Sequence, residues 1–492
     1  MAVSEIAHPS LDERRARGEE ARARLSPSAH AGWVPATGRP DPVALLEEQN
    51  TTREPDLVPV RHGRMMFSPF TFYRGAAKVM ASDLADTPTA GLGVQLCGDA
   101  HLSNFGLFAS PERVLLFDIN DFDETLPGPF ECDVKRLAAS FMIAARNNGF
   151  SKADARAATM ASVAAYREAM ADFAGMRTMD VWYARLSEDE LTASIRREVK
   201  RVAKSSKKEA KAVKEPKAPK QAKEAKTLGQ RGLGTAAKAH TRDSLQALSK
   251  LGEMAGGRYR IVSMAPIVVP ARELAATYGI SADELAQVIG RQFRRYRATL
   301  QGDRRRLLER FEIVDMARKV VGVGSVGTRA FIVLLQGRDA GDPLFLQVKE
   351  ATASVLEGHL PKSRFRQPGE RVVQGQRLMQ AASDIYLGWS RGEQEGRFYY
   401  WRQLRDMKGS AEVEVMPPEA LAFYARTCGW TLARAHARSG DPVVIAAYLG
   451  TGDGFDRSIT NFAQRYADQN EQDYEAFIKA IRTGRIAALE GV

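Results

Sequence analysis

The feature that most constrains the fold is a pair of short apolar segments, each followed at once by polar or acidic side chains. The first, Val94–Cys97, runs into the polar loop Gly98–Asn104. The second, Val114–Phe117, ends in an acidic cluster formed by Asp118, Asp121, Asp123 and Glu124. Short apolar runs bounded by Gly, Asp and Asn are typical of β-strands. After a Pro-Gly-Pro turn at 127–129, an amphipathic helix is predicted to begin near Asp133.

The first loop spells Asp-x-His-x-x-Asn through Asp99, His101 and Asn104. In magnesium-dependent phosphoryl transfer one carboxylate orients the acceptor hydroxyl, while amide and carboxylate oxygens hold the cation on the nucleotide phosphates. Acidic residues after strands are also common in ordinary loops, and one such motif alone would carry little weight. Here the motif is followed in order by the acidic cluster after the second strand and by the Pro-Gly-Pro turn before the helix. This order of three elements favours the catalytic interpretation.

This stretch resembles the catalytic core of aminoglycoside phosphotransferases, a branch of the kinase-like fold, in its Gly-Asp-x-His-x-x-Asn, hydrophobic-Asp and Gly-Pro-x-x-x-Asp elements. The resemblance implies that Asp99 is the catalytic aspartate, that Asn104 and Asp118 bind the metal, and that Asp133 braces the catalytic loop. We add His101 to the catalytic candidates and Asp121 to the metal-binding ones. Cys97 stands where this branch usually has histidine.

The second informative stretch, residues 319–357, is predicted to form strand, Gly-rich turn, strand, hairpin and strand. The turn contains Gly322, Gly324, Ser325 and Gly327, and a turn without side chains lets backbone N–H groups approach phosphate oxygens. A β-hairpin follows it, which disfavours a Rossmann site and favours the Gly-rich flap of kinases. The next strand ends at Lys349, interpreted as a catalytic and nucleotide-contacting cation. Its partner stays open among Glu350, Glu357 and Glu370.

Two further strands, near Tyr386–Trp389 and Phe398–Leu404, lead into residues 405–410, which resemble the hinge over which adenine sits in kinases. On that interpretation the base pocket is lined by Tyr400, Trp401 or Leu404. Ordinary packing of strand residues in a core explains the same side chains equally well.

These elements stand in an unusual order, because the catalytic segment precedes the Gly-rich half. A helix over Leu421–Ala437 ends the Gly-rich half, where a kinase would continue directly into its catalytic loop. The simplest explanation is a circular permutation with its break at that connection, which is physically tolerable at a surface position.

The whole arrangement is similar to the bacterial family known as domain of unknown function 2252, a kinase-like family. The shared phrases are RMMFSPFTFYRGAA, CGDAHLSNFG, FDINDFDETLPGPFECD, ARKVVGVGSVGTR, LQVKEA and the GDGFD region near Gly452. The resemblance covers roughly residues 55–480, apart from a Lys-rich insertion. It implies an α+β, protein-kinase-like two-lobe fold, circularly permuted, with extra helices. It implies no substrate.

We predict six segments along the chain. They are an N-terminal extension (1–55), the catalytic-loop and metal-binding part of the helical lobe (56–197), a Lys-rich insertion (198–240), a helical part (241–312), the Gly-rich β lobe with its hinge (313–410) and C-terminal helices of the helical lobe (411–492). Within the extension we predict a short helix near Asp12–Leu25 and then an extended lead-in.

The net charge of +11 is concentrated in Lys200–Lys226, where ten Lys and one Arg face three Glu, and the remainder of the chain carries only +3. Such a block with prolines buries too little apolar surface to fold alone. It predicts a solvated or frayed insertion, with polyanion contact as the alternative. Three scattered cysteines indicate neither disulfides nor zinc. The sequence lacks a secretory signal and a membrane-length apolar run, which predicts a cytoplasmic protein without membrane contact.

The sequence therefore predicts an ATP- and Mg²⁺-dependent phosphotransferase acting on an unknown small-molecule or protein hydroxyl. Two alternatives stay open: transfer of AMP to a protein by the same site, and a non-catalytic nucleotide-sensing or polyanion-tethered regulatory protein. An aromatic segment after Val60 adds Arg61, Arg64 and Arg74. These are either solvated charges or groups that face phosphates or an acidic substrate.

Overall fold

A six-stranded antiparallel sheet forms one half of the molecule. The computed structural model describes residues 8–213, 234–279, 281–320, 322–404 and 407–491. In spatial order the strands of this sheet are β11 (Gly388–Arg391), β12 (Phe398–Gln403), β10 (Pro343–Glu350), β9 (Ala330–Gln336), β8 (Glu312–Lys319) and β7 (Val268–Pro270).

The sheet is covered on both faces, which explains why β9 is a continuous apolar run. Ile332 packs in one cluster with helix α10 (Ser244–Leu251). Its neighbour Val333 packs in a second cluster with helix α12 (Ala282–Arg297). Successive side chains of a strand face opposite sides of the sheet, so a strand buried on both faces shows no polar alternation.

The other half is mostly helical and carries two small sheets. One pairs β1 (Gly93–Leu96) with β4 (Leu126–Pro129). The other consists of β2 (Phe105–Ala109), β3 (Leu115–Ile119) and β13 (Gly409–Ser410), with β2 in the middle. Residues 97–104, the Asp99 loop, therefore join β1 to β2. Residues 120–125, the acidic segment, join β3 to β4.

The remaining elements surround these sheets. The other helices are α1 (Leu11–Arg24), α2 (Pro42–Asn50), α3 (Val58–Met65), α4 (Pro69–Gly75), α5 (Ala77–Ala85), α6 (Glu131–Asn147), α7 (Lys152–Ala174), α8 (Thr178–Tyr183), α9 (Glu188–Val213), α11 (Ala271–Tyr278), α13 (Gly302–Leu308), α14 (Pro368–Met379), α15 (Pro418–Ala437), α16 (Pro442–Leu449) and α17 (Gly454–Arg482). A separate hairpin consists of β5 (Gly252–Ala255) and β6 (Arg258–Ile261).

Helices α6 and α7 form a hairpin whose turn follows from the local sequence. Gly149 ends α6 with φ +71°, a conformation that glycine adopts without strain. Ser151 caps α7 by accepting the backbone N–H of Asp154 at 3.1 Å, which satisfies one of the free donors of the first turn. Helix α15 packs closely against α7 at Gly429.

The end of α15 lies beside the start of β1, although the two are far apart along the chain. The backbone N–H of Gln95 donates to Ser439 Oγ at 3.0 Å, across 344 positions of sequence. Gly440 approaches the side chain of Val94 so closely that a Cβ would overlap it. The long helix therefore ends next to the strand that leads into the Asp99 loop.

The α+β class is confirmed, and the N-terminal helix predicted near Asp12–Leu25 is present as α1. The extended lead-in predicted after it instead contains α2. Residues 241–312, predicted as a helical part with one short strand at 259–263, contain that strand as β6 and also contain β5 and β7, of which β7 extends the large sheet. Strands of three or four residues are too short to leave a clear periodic pattern, which is why the sequence did not reveal the whole segment.

The Lys-rich insertion begins inside a helix, since α9 continues to Val213. Residues 214–233 lie outside the described residues, so the structure does not test the prediction made for them. Within the described ranges, none of the helices combines the length and apolar character that crossing a bilayer requires.

The contact between α15 and α7 leads to a stability prediction. A Cβ at Gly429 would overlap the backbone oxygen of Ser162, so we expect Gly429→Ala to lower the free energy of unfolding by about 1–3 kcal/mol, the usual cost of overpacking. Gly290, in α12, is the matched control, because a Cβ there would meet only Arg294 Nη1 at 3.7 Å. Gly290→Ala should instead stabilise by about 0.5–1 kcal/mol through helix propensity. Chemical denaturation measures both, and equal effects would contradict the packing argument.

Candidate functional site

The Asp99 loop, the acidic segment and the Gly-rich turn (residues 322–328) meet at one cavity between the two halves. Its volume is about 760 Å³, within the range of small-molecule sites. Many of the residues predicted from sequence line its wall: Asp99, His101, Asn104, Asp121, Gly322, Gly324 and Ser325.

Asp133, at the start of α6, holds the backbone of the Asp99 loop. Its Oδ2 accepts the N–H of Cys97 at 2.7 Å, and its Oδ1 accepts the N–H of Gly98 at 3.0 Å. Gly98 has φ +85°, and a Cβ there would overlap the backbone of the acidic segment. His436 of α15 contacts the same carboxylate, with Nε2 3.2 Å from Oδ2. These are the contacts expected of a bracing aspartate.

Asp99 is fixed in one orientation by Arg136 of α6. The Nε and Nη2 atoms of Arg136 lie 2.8 and 2.7 Å from Asp99 Oδ1. The same guanidinium stacks on the ring of Tyr73, 3.8 Å from its centre, and donates to the Tyr73 carbonyl at 2.9 Å. Burial raises the pKa of Asp99, and Arg136 opposes that rise. The carboxylate is thus oriented by a charge-assisted pair, which is stronger than a neutral hydrogen bond.

His101 is buried beside Asp99, with its Nε2 3.8 Å from Asp99 Oδ2. Burial and the nearby charge of Arg74 hold the pKa of His101 well below its usual value. Its Nδ1 has no hydrogen-bond partner among the described residues. At neutral pH the imidazole is therefore uncharged, so it contributes shape and polarity next to Asp99 rather than charge.

The structure places Asp118, predicted as a metal ligand, outside the cavity wall. Its side chain is buried within β3, and its Oδ1 pairs with the equally buried Arg434 of α15. Its Oδ2 accepts the N–H of Ala381 at 2.8 Å. Asp118 is absent from the cavity wall that the described residues form. Because both carboxylate oxygens are already used, Asp118 anchors α15 and α14 to β3 and does not present a metal ligand to the cavity.

Lys349 is buried near the end of β10 and forms an ion pair with Asp123, which lines the cavity. The Nζ–Oδ2 distance is 2.6 Å, and Nζ also lies 3.8 Å from Asp121. Asp123 further accepts the hydroxyl of Tyr400 at 2.6 Å and that of Ser325 at 3.3 Å. Burial alone would raise the pKa of Asp123, but Lys349 and these hydrogen bonds lower it. Lys349 is kept charged by the same pair, which raises its pKa against the effect of burial.

None of the three glutamates considered as partners of Lys349 forms an ion pair with it in the described structure. Glu350 pairs with Arg397 at 2.6 Å and with Arg329 at 3.3 Å. Glu357 accepts the N–H of Ser354 at 3.2 Å in the short helix that follows. The sequence favoured a glutamate because kinases use one, whereas this chain satisfies Lys349 from the acidic segment.

Asn104 and Asp121 both line the cavity. Asn104 donates its Nδ2 to the carbonyl of Asp99 at 2.8 Å, which orients its amide group. Burial and the neighbouring Asp123 raise the pKa of Asp121, as expected for a carboxylate with incomplete compensation. Among the described residues there is no cluster of three or more His, Cys, Asp or Glu side chains that could hold a metal ion by itself. This set suits Mg²⁺, which typically takes one or two carboxylates and completes its shell with phosphates and waters.

The Gly-rich turn folds over the cavity from the sheet side. Gly322 and Gly327 have φ +64° and +86°, where any other residue would be strained. Gly322, Gly324 and Ser325 line the cavity, and a Cβ on Gly324 would lie 3.1 Å from the carbonyl of Arg74. Glycines therefore allow the turn to approach the opposite wall closely.

The residues considered for the adenine pocket lie within the packed sheet half, in agreement with the alternative of ordinary core packing. Leu404 is buried in the cluster formed with α10 and makes its backbone bond to Phe345 at 2.9 Å. Trp401 stacks on Tyr296 with ring centres 4.5 Å apart, inside the opposite face of the sheet. Tyr400 binds Asp123. All three are packed within the protein and none is part of the cavity wall described here.

Three arginines that the sequence did not assign to the site shape it. Arg53 lines the cavity, is almost fully buried and donates to the carbonyl of Val326 in the Gly-rich turn. Arg74 lines the opposite wall. Arg371 of α14 holds the acidic segment by donating to the carbonyls of Asp123 at 2.7 Å and Thr125 at 2.5 Å. Of these three, only Arg74 was considered from the sequence, where its role was left open.

A family model described as an uncharacterized protein conserved in bacteria (DUF2252) matches residues 53–231 and 219–480. No curated protein matches the chain. No solved structure matches it either.

Glu124 gives the cavity a pH-dependent group. It lines the cavity, and its Oε2 accepts the N–H of Val355 at 2.7 Å. Burial raises the pKa of Glu124 to about 7, although Arg371 and the Val355 N–H oppose the rise. The folded state therefore binds a proton more tightly than the unfolded chain, so stability falls as pH rises from about 4.5 to about 7.

We expect Glu124→Gln to remove this loss, because the amide keeps an oxygen for the Val355 N–H and carries no charge. Relative to wild type, the variant should gain about 2 kcal/mol between pH 5 and pH 8, since one pKa unit corresponds to about 1.4 kcal/mol and the carboxyl is partly solvated. Denaturant unfolding at each pH measures the difference. Glu20→Gln, at an exposed site, should show no such trend, and a constant offset for Glu124→Gln would refute the titration.

Proposed function

The chain belongs to this uncharacterised family of bacterial proteins, and from its site we propose that it is a phosphotransferase. It would move the terminal phosphoryl group of ATP, with Mg²⁺, onto a hydroxyl group. The observation that carries the proposal is one cavity lined by Asp99, Asn104, Asp121 and the Gly-rich turn, with Lys349 held at Asp123 beside it. Positioning and charge neutralisation are what phosphoryl transfer needs from a protein.

The arrangement of elements supports a permuted kinase-like fold. The Gly-rich turn joins β8 to β9, Lys349 ends β10, α14 follows, and β12 leads to residues 405–408. In kinases the corresponding long helix continues into the catalytic loop. Here the end of α15 adjoins β1 through the bond between Ser439 and Gln95, which supports a break in the chain at that connection. The packing of elements does not depend on which of them are joined.

In the proposed reaction Asp99 orients the acceptor hydroxyl and takes its proton. The acceptor oxygen forms a bond to the terminal phosphorus of ATP as the bond between that phosphorus and the bridging oxygen breaks. The electron pair of the broken bond leaves on ADP. Because Arg136 and Asp133 fix the side chain and backbone of the Asp99 loop, the geometry is set before substrate binds, which is where most of the rate gain arises.

Asn104 and Asp121 are the residues that would hold Mg²⁺, and the bound ion would neutralise charge on the phosphates. Kinases use the aspartate of an Asp-Phe-Gly segment for this purpose. Asp121-Phe122-Asp123 begins in the same way directly after β3, and Phe122 is buried. The metal role therefore passes from Asp118 to Asp121. Asp123 is the residue that keeps Lys349 charged and oriented until phosphate oxygens can replace it.

The metal assignment is tested by thermal-shift titration with ATP and Mg²⁺. Ligand binding raises the melting temperature by mass action, worth about 2.7 kcal/mol at 100 times Kd. Asp121→Asn should lose the Mg²⁺-dependent part of the shift. Asp118→Asn should lower the melting temperature of the free protein, because it leaves Arg434 uncompensated, but it should keep the Mg²⁺-dependent shift. The reverse pattern would return the metal role to Asp118, and no shift in wild type would refute the nucleotide site.

Asp99→Asn separates binding from turnover. The amide retains the size of the side chain but does not accept the proton, so we expect an unchanged MgATP shift and a loss of at least about 10²-fold in turnover. Product formation from ATP is followed together with the mass gained by the acceptor. A gain of AMP instead of phosphate would favour adenylyl transfer, and undiminished turnover would remove Asp99 from the mechanism.

A further inference from the structure

The cavity contains a cation that the protein itself does not neutralise. Arg74 lies at the end of α4, on the wall that also carries Asp99 and His101. Its Nε is buried without a hydrogen-bond partner, and its guanidinium forms no ion pair with the described residues. Its carbonyl oxygen faces the Gly-rich turn, since a Cβ on Gly324 would lie 3.1 Å from it.

The neighbouring carboxylates are already committed. Asp99 is paired with Arg136 at 2.7 Å, and Asp123 is paired with Lys349 at 2.6 Å. Burial lowers the pKa of Arg74, and the charges of Glu414 and Asp99 oppose this only in part. Partial burial of a guanidinium without an ion-pair partner has a cost in solvation free energy. The cost is removed when an anion enters, and the planar fork of arginine matches phosphate and carboxylate oxygens.

A second and a third cation line the same cavity. Lys78, in the first turn of α5, contacts Glu48 at 2.6 Å, but Glu48 is two-thirds exposed, so this pair holds Lys78 weakly. Arg53 also has a buried Nε without a partner. Burial lowers the pKa of Arg53 to about 10, while Glu124, Asp123 and Glu350 counteract burial.

The two arginines differ in what they adjoin. Arg53 donates to the Gly-rich turn and lies among the carboxylates of the acidic segment, which is the side of the nucleotide phosphates in the proposed reaction. Arg74 lies with Asp99 and exerts the largest charge effect on the pKa of His101. An anion held by Arg74 is therefore next to the group that takes the proton from the acceptor.

We propose that Arg74, assisted by Lys78, binds an acid group of the acceptor, so that the substrate is a small hydroxylated compound that carries a phosphate or a carboxylate. Binding of an anion by Arg74 stands by itself. That the anion belongs to the phosphoryl acceptor rests on the proposed function. A cavity of about 760 Å³ is of the size that encloses a small molecule. The site residues lie between α4, α5 and the Asp99 loop, on elements anchored in the core.

The test uses pairs of compounds that differ in one acid group, first without nucleotide. Glycerol is compared with glycerol 3-phosphate and with glycerate, and glucose with glucose 6-phosphate, by thermal shift at millimolar concentration. We expect the anionic members to raise the melting temperature and the neutral ones not to. The glycerol 3-phosphate and glycerate arms distinguish phosphate from carboxylate as the recognised group.

Arg74→Ala should weaken the affinity for the anionic compounds by about tenfold or more, the loss of a charge-assisted contact. Arg185→Ala removes an exposed arginine that is not part of the cavity wall and should leave the affinity unchanged. The MgATP shift of Arg74→Ala should stay within about twofold of wild type. With an anionic compound that is phosphorylated, KM should rise in Arg74→Ala while kcat changes little.

Three results would overturn the proposal. They are equal shifts with the neutral and anionic members, no shift with any anionic compound, or loss of the MgATP shift in Arg74→Ala, which would assign the arginine to the nucleotide. Failure of the proposed function is a separate outcome, recognised by the absence of a MgATP shift in wild type. Selective binding of the anionic compounds through Arg74 would in that case still establish the anion site.

Discussion

The ion pair between the buried Lys349 and Asp123 of the cavity wall is the contact on which the site depends, because it joins the sheet half to the helical half at the cavity. Asp123 also accepts hydroxyl hydrogen bonds from Tyr400 and Ser325. One carboxylate therefore connects the acidic segment to β10, to β12 and to the Gly-rich turn. Among the described residues, removing Asp123 would leave the buried Lys349 with only Asp121 at 3.8 Å, and an uncompensated buried charge is strongly destabilising.

If the proposed nucleotide binds, the same pair would let a phosphate enter without dismantling the site. A phosphate that takes Lys349 from Asp123 exchanges one anionic partner for another, so the lysine is never left alone. The acidic segment keeps its position meanwhile, because Arg371 holds its backbone through the carbonyls of Asp123 and Thr125. Contacts to backbone atoms thus hold the acidic segment in place before a ligand binds. On the proposed function, Lys349 is the side chain that would change its partner.

Local patterns were sufficient to predict the parts of the site that lie within one loop. Asp99, Asn104 and the Gly-rich turn line the cavity as their spacing indicated, and Asp133 contacts the loop it was expected to brace. Asp118 and Asp121 were not separated in this way, because both lie among the acidic residues that end the second apolar run, although the Asp-Phe pair at Asp121 is a local signal. What decides between them is Arg434, 316 positions away, and a partner at that distance leaves no trace in the local sequence.

The same limit applies to the sheet half. Strands β9, β10 and β12 were predicted close to their positions, since apolar runs mark them. Strand β7 lies in a segment predicted as helical, and the neighbours of the strands were not predicted. Leu404 looked like a pocket residue until α10 proved to cover it. Tyr400 and Trp401 have the same sequence character and quite different surroundings, one bonded to Asp123 and the other stacked on Tyr296. Strand residues alternate between faces, but the sequence does not say what lies on each face.

Residues 53–64, at the end of the N-terminal extension and in α3, hold the Gly-rich turn in place. Arg53 and Arg64 donate to the carbonyls of Val326 and Gly322, and the backbone N–H of Glu54 donates to Gly327 at 2.7 Å. Each of these bonds ends on a carbonyl oxygen of the turn. The backbone N–H groups, which are the atoms that would bind phosphate oxygens, are not used by the tether. Residues 53–64, which are not part of the sheet, can therefore hold the turn in place. They leave free the N–H groups that would bind phosphate in the proposed function.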